Sequence, residues 1–192
     1  MTEITVSSIR LSEPTRNFIL HWGDMGGQWG VNRSVAQIHA LLFVSNSPLH
    51  AEEISDVLEI ARSNVSNSLK ELTTWDLVRR VPIAGDRRDH FEAEGDVWEM
   101  ASRIVAMRKT RELDPASKTL NAFLDQAKDD PTTNPVAVER LTDLQDLIST
   151  LDQWYKQMDR VPKARLLPLI KLGSKAVDLL SPFIKGSASS KK

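Results

Sequence analysis

SPLHAEEISDVLEIARSNVSNSLKELTTWDLVRRVPIAGDRRDHFEA, residues 47–93, is the stretch whose reading decides the fold. Its first part predicts a short helix over about 51–58. Ile54, Val57 and Leu58 fall at i, i+3 and i+4 and form one buried stripe. Glu52 and Glu53 occupy the first turn, where the helix dipole favours negative charge. His50 sits at the cap position. After a three-residue turn the pattern recurs over about 62–74, with Val65, Leu69 and Leu72 inward. The opposite face carries Ser63, Asn67 and Lys70, with Ser66 at its margin. These polar side chains are suited to base edges. Arg62, Ser63 and Asn64 open this helix without a carboxylate, which leaves its N-terminus available to a phosphate.

The chain then turns extended. Residues 77–82 carry the β-branched Val78 and Val81, 84–89 form a turn, and 90–93 return, which predicts a two-stranded hairpin. Pro82 cannot donate to a ladder, so the ribbon belongs at an edge. Its tip presents Arg87 and Arg88, suited to a narrow groove flanked by phosphates. Helix, turn, helix and basic hairpin make a winged helix-turn-helix, which sets its second helix in the DNA major groove.

The order of ELTTWDLVRRV and GDRRDHFEA resembles the MarR superfamily of transcriptional regulators. Trp29 to Ser34 followed by Ile38 to Leu42 resembles its GbsR-type branch. The likeness covers about residues 15–125. It implies sequence-specific binding of double-stranded operator DNA by a homodimer, more often in repression. It also implies that, in the Asp86-x-Arg88 motif, the aspartate holds the wing and Arg88 enters the minor groove. The chain departs from many relatives at Ala61, where they place Ser or Thr. Relatives of the GbsR type answer to choline or glycine betaine, which makes Trp22 and Trp29 the tentative effector site. An aromatic cage can hold a quaternary ammonium group.

Composition narrows the classes. The chain has 192 residues, enough for one real core plus a helical extension. It has no cysteine, which excludes disulfides and thiolate metal sites. The four histidines show no metal spacing, and no nucleotide or hydrolase motif is legible. The reading is therefore no enzyme, no cofactor and no metal. No signal peptide or membrane span is visible, which fits a cytoplasmic, nucleoid-associated protein. The net charge of −1 argues the other way. Residues 1–94 hold nine basic and thirteen acidic residues, so a nucleic-acid surface has to be local. A winged-helix protein-interaction module without specific DNA binding is the competing class.

The expected organisation is mainly α. Residues 13–94 form the N-terminal helices and winged helix-turn-helix. Residues 95–185 form a helical dimerisation or regulatory region, and 1–12 and 186–192 are flexible ends. A helix over about 13–29 carries Gly23, Gly26, Gly27 and Gly30 on one stripe, which implies a close approach. A helix from Gly95 places Val97, Ala101, Ile104 and Val105 on one side, and Asp114-Pro115 marks a break with Asp114 as cap. Val138, Leu141, Leu144, Ile148, Leu151, Tyr155 and Met158 form a coiled-coil-like seam, and an apolar helix is expected over 163–180.

Overall fold

The computed structural model describes residues 10–172. The chain divides into two compact units, Met1–Lys109 and Thr110–Lys192. The expected ends at 1–9 and 186–192, and the expected helix beyond residue 172, lie outside the described residues.

In the first unit, α1 (Glu13–Gln28) starts at Ser12, whose hydroxyl accepts from the Thr15 amide. Asn32 caps α2 (Arg33–Val44). Then come β1 (Leu49–His50), α3 (Ala51–Leu58), α4 (Arg62–Thr74), β2 (Val78–Val81), β3 (His90–Ala93) and α5 (Val97–Arg108). α2 is the hub: Ile38 and Leu41 are completely buried, and Val35, Ala40 and Leu42 nearly so. Ile19, Ile54, Val65, Leu72 and Val78 pack around it from α1, α3, α4 and β2. The apolar stripes of the two short helices face inward, as their spacing requires.

The close approach implied by the glycine stripe is made to α2. A Cβ on Gly23 would lie 2.5 Å from Gln37 Cγ, and one on Gly26 would lie 2.5 Å from Ala36 Cβ. Gly27 faces open space. Gly30 ends the helix in a turn at φ +76°, which favours glycine.

Three features differ from the expectation. The wing sheet has three strands in the order β1-β3-β2, because Leu49 and His50 pair antiparallel with Phe91 and His90. A two-residue strand has too little sequence to announce itself by alternation. Second, α5 turns Met100 and Ile104 to the core, while Val97 and Val105 are exposed. The compact unit that holds this core runs through α5 to Lys109. Arg103 holds the helix there by pairing with Glu94 at 3.0 Å and donating to the Asp76 carbonyl. Third, Asp114 does not cap. A π-helical turn, Lys109–Leu113, precedes α6 (Asp114–Asp129), and Leu113 has helical dihedrals.

In the second unit, α6 and α7 (Pro135–Asp159) form a helical hairpin, followed by α8 (Lys163–Leu172). Asn134 caps α7. Leu120 is buried, and Gln145 Nε2 donates to Ser117 Oγ at 3.2 Å. The α7 seam is only partly inward. Val138, Leu141, Ile148, Tyr155 and Met158 are half-buried, whereas Leu144, Leu147, Leu151 and Trp154 form a second, exposed stripe at three- and four-residue steps.

His39 is the one histidine on α2 and lies in the core at 4% exposure, with no partner for Nε2 among the described residues. Burial lowers its imidazole to about 4. Between that value and the ordinary ~6.5 the unfolded chain takes up a proton that the folded chain refuses. Stability is therefore expected to fall as pH drops from about 6.5 towards 4, by roughly 3 kcal/mol at most, and to be indifferent to this group above that window. His39→Leu should flatten the slope, which urea midpoints at several pH values will show. An unchanged slope would assign it to other groups.

Candidate nucleic-acid interface

The turn between α3 and α4 is held by local bonds. Glu59 takes the left-handed conformation (φ 55°), Ser55 Oγ donates to the Ile60 carbonyl at 2.7 Å, and the Ile60 amide donates to the Ser55 carbonyl. Ala61 leaves α4 without a side-chain cap, as expected from the sequence. Asn64 Nδ2 donates to Ser34 Oγ at 2.9 Å and so ties the start of α4 to α2. Asn64 therefore has a structural partner within the chain. Ser63, Ser66, Asn67 and Lys70 are exposed along the outer face of α4, with no side-chain partner among the described residues.

Between α4 and the wing runs an open groove of about 610 Å³. From α4 it takes Arg62, Ser66, Lys70, Thr73 and Thr74, and from the sheet Arg80, Arg88, Asp89 and Phe91. His50 and Glu52 close its end. Arg80 stands over the Phe91 ring at 5.9 Å and pairs with Asp89 at 3.4 Å. Its neighbour Arg79 points the other way and pairs across the strands with Glu92 at 2.5 Å, as alternation along a strand demands.

The two wing arginines have different surroundings. Arg88 is braced. Its Nε donates to Asp86 Oδ1 and its Nη2 to Asp86 Oδ2, at 2.9 and 2.5 Å, while its amide also donates to Asp86 Oδ1. Its Nη1 lies 2.7 Å from His50 Nε2. The guanidinium holds the Asp86 carboxyl well below the usual carboxylate range. Arg87, next along the tip, is exposed and has no such partner. Gly85 (φ +86°) makes the turn that presents it.

His50 connects this brace to α3. Its Nδ1 accepts from the Glu53 amide at 3.3 Å, and Glu53 Oε2 accepts from the His50 amide at 3.0 Å, a capping box with imidazole in the usual Ser or Thr place. A neutral imidazole has a single acceptor nitrogen, so the Glu53 amide and Arg88 compete for it. Sequence reasoning found the cap position and that only one of Arg79 and Arg80 can face the groove, but missed the wing contact, along with the groove positions of Glu52, Thr73 and Thr74. Those residues meet only when the hairpin folds back over α4, and no local periodicity carries that information.

Trp22 and Trp29 both line one cavity of about 60 Å³, together with Trp75, His39, Ile104 and Arg108. The Arg108 guanidinium lies 5.9 Å from the Trp29 ring centroid, and its Nη2 donates to the Trp29 carbonyl at 2.6 Å. Trp98 is exposed elsewhere on α5. Among the described residues no three His, Asp or Glu side chains are grouped to hold a metal, and no helix is long and apolar enough to cross a membrane.

Fold and groove together define a mainly helical protein with a winged helix-turn-helix. Residues 29–89, from the end of α1 through most of the wing, match the model of the MarR family. The winged helix is thus MarR-like. Among solved structures, a transcriptional regulator shares 18% identity at a TM-score of 0.60, over 75% of this chain and 94% of its own. MarR from E. coli shares 11% identity at a TM-score of 0.36, over 70% and 91%. The S. aureus MepR–DNA complex shares 15% at 0.34, over 72% and 92%. Curated proteins gave no match. The matches are to transcriptional regulators and not to enzymes.

Proposed function

We propose that the protein is a homodimeric transcriptional regulator, a repressor in the cytoplasm, that reads a pseudo-palindromic operator with α4 in the major groove and the wing alongside. The observation that carries this reading is the unpartnered polar face Ser63, Ser66, Asn67 and Lys70, set beside an exposed Arg87 on a braced wing. Arg62 and Arg88 border the same groove and supply phosphate contacts once their carboxylate partners give way. Asn64 acts by fixing the start of α4. Arg87, not the braced Arg88, is the side chain we assign to the minor groove. Two copies are needed to place two reading helices about one turn of DNA apart. The exposed stripe Leu144, Leu147, Leu151 and Trp154 has the heptad-like spacing with which a second copy packs.

The test is binding of the purified chain to a panel of single-base operator variants obtained by selection from a random pool. Two chains per duplex are expected. Asn67→Ala should relax preference at one position, by roughly 1–3 kcal/mol. Arg87→Ala should weaken all variants alike and reduce the salt slope by about one. Affinity that is indifferent to sequence and salt, in the wild type and both variants, would favour an interaction module instead.

We further propose a small-molecule effector at Trp22 and Trp29, on the GbsR-type resemblance and the cavity these two residues share. The cavity is small beside the roughly 150 Å³ that takes up benzene, so an effector has to open it. Arg108 over Trp29 disfavours choline, a simple cation, and favours glycine betaine, whose carboxylate can pair with the guanidinium. Glycine betaine at roughly ten millimolar should quench tryptophan fluorescence and change operator affinity, with choline weaker. No response to either would leave Trp22 as a core-packing residue and Trp29 as a surface residue under Arg108.

A further inference from the structure

Glu52 belongs to α3, whose first turn it shares with Glu53, yet its carboxylate reaches across to the reading face. Its Oε1 pairs with Arg62 Nη1 at 2.8 Å, at the start of α4. Its Oε2 lies 3.9 Å from Arg88 Nη1, on the wing. Both arginines line the groove with Glu52 between them. Glu53 is committed to the capping box and is unavailable for this role.

Two arginines flanking one anion, beside an uncapped helix N-terminus, is the arrangement a DNA phosphate requires. We propose that Glu52 is an internal stand-in for that phosphate: it neutralises Arg62 and Arg88 in the free protein and is displaced when DNA binds. Glu52 then sets how tightly the operator is held, although it makes no favourable contact with it. The inference rests on the DNA-binding reading above. The pair is exposed, Arg62 at 69% and Glu52 at 45%, so water and salt screen it and the exchange costs little. Near a polyanion the same carboxylate is repelled, which adds to the penalty for binding while it remains charged.

The sign of the Glu52→Gln effect distinguishes this from a positioning role. A carboxylate that merely oriented Arg62 would be replaced badly by an amide, and DNA binding would suffer. A competitor, once neutralised, releases Arg62, and binding improves. Glu52 lies outside the core, and the His50–Glu53 box still caps α3 without it, so Glu52→Gln should fold normally.

The test is operator affinity of the full chain against salt concentration, for wild type, Glu52→Gln, Arg62→Ala and the double variant. Glu52→Gln is expected to bind about two- to fivefold more tightly at low salt, with a salt slope steeper by about one. Arg62→Ala should abolish most of that gain. Weaker or unchanged binding by Glu52→Gln, with wild type still binding in a salt-dependent way, overturns the Glu52 role alone. A wild type that binds no duplex removes both this role and the DNA-binding reading. Thermal unfolding of each variant confirms that the comparison is between folded proteins.

Discussion

His50 is the residue at which the wing sheet, the start of α3 and Arg88 meet. It is the last residue of β1, the cap of α3 and the neighbour of Arg88 at once. Strand pairing sets His50 opposite His90, and the two rings meet edge to face at 5.4 Å. Through the strand pairing and the α3 cap, the position of α3, and with it the turn into α4, is tied to the wing. His90 adds a second hold, with Nδ1 3.1 Å from the Arg88 carbonyl. Both histidines are buried, whereas the Arg88 side chain is half-exposed at the groove.

Charge is distributed by the same logic. A half-chain rich in acids looks unsuited to DNA, yet its carboxylates are spent on particular cations: Asp86 on Arg88, Glu92 on Arg79, Asp89 on Arg80 and Glu52 on Arg62. Lys70 and Arg87 are exposed outside these pairs, with the small polar face of α4 between the helix start and the groove. Pairing within the chain, as well as formal net charge, decides which charges a polyanion would meet.

Much of the first unit was legible because its helices are short, amphipathic and bounded by clear caps and turns. Val65, Leu69 and Leu72 had to face inward, and the polar set on α4 followed from 100° per residue. What escaped required tertiary information. β1 is two residues long and is defined only by β3. α5 carries apolar residues on more than one side, and only the position of Met100 against the core selects the buried one. α7 likewise has two apolar stripes, and the sequence merged them into one seam. The guanidinium over Trp29 comes from a helix almost eighty residues away.

The glycines show the gain from combining the two levels. Spacing showed that something approaches α1 closely. The structure names it as Gln37 and Ala36 of α2, so the stripe serves packing within the unit. The same combination separates Arg87 from Arg88, which are adjacent and chemically identical in sequence. On the proposed function, the wing braced at His50 and Arg88 presents Arg87 to DNA. A double-mutant cycle on operator affinity between His50→Ala and Arg87→Ala tests it most directly. Arg87→Ala should weaken the wild type several-fold but weaken the His50→Ala protein hardly at all, because an unbraced wing no longer delivers the side chain. An equal loss from Arg87→Ala in both backgrounds would contradict the account.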